Sequence, residues 1–270
     1  MLILERPWTR QPTASTNPDA GSGVVWLLDA LRCNYAWDRH GGQWTAFGID
    51  DVETAIAINT PTGTNDRLTC SNKTSSTGQI TLMCVFKALS VSGVQHLINE
   101  DNNLGGARNF QLRINSGACE FIPFSGNTPD TTMSVAGLMA GVWYTVIAQY
   151  RPGSQRVSVW NRGGGLVGSD TSSVAGALDA DTVGTRIGVL ASNDIDGPFA
   201  GLIALAAGWS IDIQSEAMRL GNNPWGVYQS RRIYIPTPAA AGYTHPTLSA
   251  ATATEITATS FKPRVTYTFA

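Results

Sequence analysis

From residue 24 to about 212, apolar and polar positions along this chain read as strand after strand, in short apolar runs and in stretches that alternate with a period of two. Val24–Leu28 is a short apolar run and Thr54–Asn59 alternates as Thr-Ala-Ile-Ala-Ile-Asn. Gln79–Leu89 is the longest apolar candidate. Phe110–Ile114 reads Phe-Gln-Leu-Arg-Ile, a strand with one polar face. Glu120–Phe124 follows the turn residues Asn115-Ser116-Gly117. Trp143–Tyr150 and Arg156–Trp160 flank Arg151-Pro152-Gly153-Ser154, a hairpin loop by composition. Thr185–Leu190 and Phe199–Trp209 complete the set. Turn residues recur at the interval typical of a β-sandwich.

Helical patterning is confined to one place. Ser215–Leu220, closed by Gly221 and barred by Pro224, predicts a single short helix. Strands do not alternate with helices, which excludes a parallel α/β sheet. The expected fold is therefore all-β: a sandwich of two antiparallel sheets, about 10 Å apart, closed by apolar burial.

The two ends read differently. Pro7, Pro12 and Pro18 disfavour helix in residues 1–23, which predicts an extended N-terminal arm. After a short candidate strand at Arg231–Pro236, residues 237–270 read as a linker and a C-terminal β extension, with candidate strands at Glu255–Thr259 and Arg264–Phe269. Two strands seldom hold together alone in water, so this extension needs a partner sheet. The main domain is then 24–236.

Composition narrows the function classes. Hydrophobic residues make up 43% of the chain, enough for a core, while charged residues are only 14%. A net charge of −2 and the lack of a Lys/Arg cluster exclude a phosphate-tracking, nucleic-acid-binding surface. The densest basic spot, Arg231-Arg232, reads as the solvated start of a strand. Met1–Leu4 is too short an apolar run for a signal peptide, and no run reaches membrane-spanning length. A soluble protein made in the cytoplasm is expected. Cys33, Cys70, Cys84 and Cys119 lack metal-ligand spacing; buried free thiols fit best, with room for one disulfide.

Three stretches resemble the laminin-G/pentraxin-like branch of the concanavalin A-like jelly rolls. They are the apolar run Ile80–Leu89, then Gly141–Val146 with Val157–Gly163, and then Ile187-Gly188 with Phe199–Ile203. The likeness spans roughly residues 24–225. Toward the flanks, Glu5–Pro12 (ERPWTRQP), Asn223-Pro224-Trp225, Arg231–Pro236 and the terminal Thr244–Phe269 are similar to segments of bacteriophage and prophage virion proteins with such a body.

The resemblance implies a concanavalin A-like jelly roll acting as a virion structural and adhesion protein, at a tail, fibre or capsid surface. It would be made in the host bacterial cytoplasm and be non-enzymatic. The implied partners are other virion proteins, further copies of the chain and a host cell-surface glycan, with no nucleic acid and no membrane insertion. Strand addition by the arm and the tail would dock the subunit, with Trp8, Arg10, Arg264, Val265, Tyr267 and Phe269 as assembly contacts. Two departures stand out. Val85-Phe86 stands where the family commonly has Trp, and Ala204-Leu205-Ala206 replaces its usual acidic residue, which weakens metal-dependent binding.

Candidate sites divide by chemistry. Glycans are held by aromatic faces with amides and carboxylates around them, and residues 34–44 concentrate those groups, giving Tyr35, Trp37, Asp38 and Trp44 as a candidate binding platform. No cofactor is expected. Calcium, the family's usual metal, would fall to Asp194 and Asp196, although Asn99–Asn103 and Asn193–Gly197 both read more simply as turns. A glycoside hydrolase needs a carboxylate pair. Asp51 and Glu53 come nearest, but Ile49 stands where the first acid of an E-x-D-x-E strand belongs. No G-x-S-x-G elbow exists; His40, His96 and His245 are dispersed, and His96 reads as a strand residue with a satisfied ring. A virion adhesin is the leading reading, a free-standing bacterial lectin-like module the second and a concanavalin-like glycosidase the third.

Overall fold

A computed structural model of the chain describes residues 24–29, 44–47, 58–60, 67–72, 78–101, 108–173, 176, 178, 184–190 and 197–228. Contacts divide the chain into Met1–Arg231 and Arg232–Ala270, and every described residue belongs to the first unit.

Strands are numbered in chain order. One sheet places β1 (Val24–Asp29), β15 (Gly201–Trp209), β5 (Ile80–Ala88), β11 (Trp143–Arg151), β12 (Ser154–Asn161) and β13 (Leu166–Ser172) side by side, and β3 (Ile58–Thr60) also pairs with β15. The other runs β10 (Met133–Ala136), β8 (Ala118–Ser125), β7 (Arg108–Asn115), β6 (Val94–Asp101), β14 (Thr185–Ile187), β4 (Arg67–Cys70) and β2 (Trp44–Phe47), with β9 (Thr128–Pro129) beside β8. Every pairing is antiparallel. The two-layer, all-antiparallel sandwich expected from the alternation is the one observed.

The main core lies between the sheets. Alternate residues of β11 (Tyr144, Val146, Ala148 and Tyr150) share one buried cluster with Phe110, Leu112 and Ile114 of β7, and Phe86, Tyr144 and Phe199 pack as an aromatic group. At about 25 cal/mol per Å² of apolar area removed from water, this contiguous cluster is the chief stabilising element. The opposite face of the first sheet is also covered. Trp143, Ile147, Trp160 and Trp209 form a second cluster with Ala217, Leu220 and Trp225 of the C-terminal helical segment. This double burial explains why β11 reads as a nearly continuous apolar run.

The hairpin between β7 and β8 follows from its turn residues. Ser116 and Gly117 take φ of 49° and 84° between the paired Asn115 and Ala118, as a two-residue primed turn requires. The helix α1 spans Gln214–Asn222, slightly longer than Ser215–Leu220. Gly221 does not stop it. A Cβ there would lie 2.3 Å from the Trp160 ring, so glycine permits close packing; the end falls at Asn223, before a 3-10 turn at Pro224–Tyr228.

Other expectations shift. The Thr185–Leu190 strand ends at Ile187, and Phe199–Trp209 begins pairing at Gly201. In the Thr54–Asn59 region the described strand is Ile58–Thr60. The sequence reading expects no strand at β2, β4, β9, β10 or β13. Asn99, Glu100 and Asp101 do not form a turn. They are the fully buried end of β6. Cys70, Cys84 and Cys119 are buried free thiols. No helix among the described residues is long and apolar enough to cross a membrane.

Candidate functional site

The middle strands of the second sheet carry a polar outer face. On β7, Phe110, Leu112 and Ile114 turn inward, which sends Gln111 and Arg113 outward. Register then sets a row across three strands, because His96 of β6 pairs with Arg113 of β7, and Arg113 pairs with Glu120 of β8. The β6 ladder is interrupted between His96 and Ile98. That irregularity lets both Leu97 and Ile98 enter the core while His96 stays on the outer face.

This face forms a cleft of about 520 Å³. His96, Arg108, Gln111, Arg113, Ile122 and Phe124 line its floor. Its walls come from Pro129 and Thr132 beside β9 and from Leu190 and Gly197 after β14.

Two arginines dominate the cleft. Arg108 donates from Nε and Nη2 to Asp101 Oδ2, both at 3.1 Å, and its guanidinium carbon lies 4.1 Å from the centre of the Phe124 ring. Arg113 donates from Nε to Glu120 Oε2 at 2.8 Å and from Nη1 to Gln111 Oε1 at 3.2 Å. Gln111 Nε2 donates to Asp101 at 2.6 Å and Asn115 Nδ2 to Glu120 at 3.1 Å. The acids are therefore the inner partners: the Asp101 and Glu120 side chains are 0% and 12% exposed, against 23% and 22% for Arg108 and Arg113. Solvent in the cleft meets the positive ends of the pairs.

His96 is buried, and its Nδ1 has no hydrogen-bond partner among the described residues, which differs from the satisfied ring expected from sequence. Burial, and then the neighbouring Arg113 charge, push its pKa down from 6.5 to about 3. The ring is neutral at physiological pH.

A buried polar network braces the cleft from one end. Thr185 Oγ1 donates to Glu100 Oε1 at 2.7 Å, Asn109 Nδ2 to Glu100 Oε2 at 3.3 Å, and Asn99 Nδ2 to the Val189 carbonyl at 2.7 Å. These bonds tie β6 to β7 and to the β14 region, as buried polar groups require when they leave water.

Of the platform expected from sequence, Trp44 is in the interior. It is 4% exposed and packs edge-on against Trp26 at 5.4 Å, so no ring face is left for a sugar. Tyr35, Trp37 and Asp38 lie outside the described residues, as do Asp194 and Asp196, Asp51 and Glu53, His40 and His245, Arg231-Arg232 and all six assembly residues, Trp8, Arg10, Arg264, Val265, Tyr267 and Phe269. Among the described residues, no group of three or more His, Cys, Asp or Glu is arranged to hold a metal ion. Sequence reasoning passed over Arg108, Gln111 and Arg113. The usable signal was the polar face of Phe-Gln-Leu-Arg-Ile in a chain otherwise poor in charge.

No protein-family model matches the sequence, and a search of curated proteins finds no match. Solved structures do match. The binding domain of botulinum neurotoxin DC in complex with SialylT superposes with a TM-score of 0.56 at 10% identity, covering 77% of this chain and 52% of that one. The fold is a lectin-like jelly roll. The botulinum neurotoxin serotype D binding domain gives 0.53 at 14% identity over 75% of this chain and 51% of its own. The chain thus spans about half the length of those domains. The CBM40 module of Ruminococcus gnavus IT-sialidase, bound to alpha2,3 sialyllactose, gives 0.44 at 16% identity over 53% of this chain and 82% of its own.

Proposed function

We propose that this jelly roll is a non-enzymatic adhesion protein that binds a cell-surface glycan in the cleft on the β6–β7–β8 face, and that it serves as a component of a bacteriophage virion. The observation carrying the binding reading is the cleft itself. It is open and of a size that suits one or two sugar rings, and its polar groups are held rigidly on sheet strands. The neurotoxin binding domain solved with SialylT shares this architecture, which makes recognition on such a scaffold a consistent reading.

The carboxylates beside the cleft support a role without catalysis. Asp101 and Glu120 each accept two or more hydrogen bonds, including a guanidinium's. With their oxygens engaged in this way, neither acid is presented to the cleft as a nucleophile. The virion assignment rests on the likeness of residues 5–12, 223–225, 231–236 and 244–269 to phage virion proteins, with the arm and the tail as docking elements between subunits.

Two measurements test the proposal. The purified chain is applied to a glycan array beside Thr132→Trp, which fills the cleft from its exposed wall; retention by the parent and loss in the variant is expected, and equal retention excludes the cleft. An antibody to the chain is then used to probe particles induced from a strain that encodes it, where labelling of the particles is expected and labelling of free protein alone rejects the virion role.

A further inference from the structure

The hydrogen-bond inventory of the cleft is lopsided. Its acceptors are already engaged within the protein: Asp101 by Arg108 and Gln111, Glu120 by Arg113 and Asn115, and Gln111 Oε1 by Arg113. Its donors are not. Arg108 Nη1 and Arg113 Nη2 have no protein acceptor among the described residues, and both side chains remain more than one-fifth exposed. A ligand that completes the cleft must therefore bring acceptors.

From this asymmetry we infer that the glycan is acidic, and that a sugar carboxylate seats against Arg108 and Arg113. The inference rests on the proposed glycan-binding role and names the class of sugar. A neutral sugar presents hydroxyls, each donor and acceptor at once, and would meet guanidinium groups with few acceptors left for its protons. A carboxylate only accepts, and its planar oxygens match the guanidinium fork. Aromatic stacking is not the alternative at this floor, because the Phe124 ring is 1% exposed and Arg108 lies over it. The inner acids keep the arginines oriented, so a ligand finds them pre-arranged.

The test uses the full chain on an array carrying neutral, sialylated, uronate-containing and sulfated glycans, followed by titration of the best ligand at two salt concentrations. Retention confined to carboxylated glycans is expected, with weaker binding at higher salt. Arg113→Gln and Arg108→Gln should each lower affinity about tenfold or more, as loss of a charge-assisted pair does. Thr132→Trp leaves the ion pairs untouched and should abolish retention even if an arginine variant folds poorly. Binding of neutral or only sulfated glycans, lost in Thr132→Trp, overturns the carboxylate assignment while leaving the glycan-binding role intact. Retention of no glycan of any class rejects both.

Discussion

Arg113 and Glu120 occupy directly paired positions on β7 and β8, and the guanidinium Nε reaches the carboxylate at 2.8 Å. Opposite charges facing each other across a ladder stabilise the pair. The consequence here is orientation, since Gln111 fixes a second nitrogen of the same guanidinium.

Replacing Glu120 by Gln would leave Arg113 without its counter-charge at a largely covered position. A loss of about 1–3 kcal/mol in unfolding free energy is expected. Urea denaturation of the parent and Glu120→Gln checks it; an unchanged unfolding free energy contradicts the account.

His96 makes stability depend on acid. Its folded pKa of about 3 lies below the ordinary 6.5, so between these values the unfolded chain binds a proton that the folded one refuses. The contribution is complete above pH 6.5 and declines as pH falls toward 3, at up to about 1.4 kcal/mol per pH unit. His96→Phe removes the titrating ring. Denaturation curves at pH 7.5, 5.5 and 4.5 should show the parent losing stability faster than the variant, and parallel losses would refute the assignment.

Gly221→Ala pits helix propensity against packing. Alanine gains up to about 1 kcal/mol inside a helix. Its Cβ would stand 2.3 Å from the Trp160 indole, and overpacking of that kind costs about 1–3 kcal/mol. Net destabilisation is expected by thermal melting, and a raised midpoint would show that α1 is not seated on Trp160 as described.

Trp44 separates a core role from a binding role. Trp44→Ala should cost about 3–5 kcal/mol by removing a buried indole against Trp26. The protein that stays folded, measured at low temperature, should bind glycan with unchanged affinity. A large affinity loss without loss of stability would restore Trp44 to the site.

Some of this was legible along the chain. Gln79–Leu89, Phe110–Ile114 and Trp143–Tyr150 were recognisable because strong apolar periodicity is local, and Asn115-Ser116-Gly117 announced its hairpin by residues that tolerate positive φ. Leu166–Ser172 passed unnoticed. It is an exposed edge strand of Gly, Ser, Asp and Thr with little apolar signal. Asn99–Asp101 misled for a chemical reason, since Asn and Asp usually mark turns, and only pairing with β7 and β14 supplies partners that allow them to be buried.

The sequence by itself determined that the chain folds into strands and where most of them lie. Tertiary structure decided which side chains share the cleft. Alternation specifies a strand's two faces, but not which strand lies alongside it or in what register. His96, Arg113 and Glu120 form one row only because three strands pair with that register, and Trp44 left the candidate site because the second sheet turns its ring into the core.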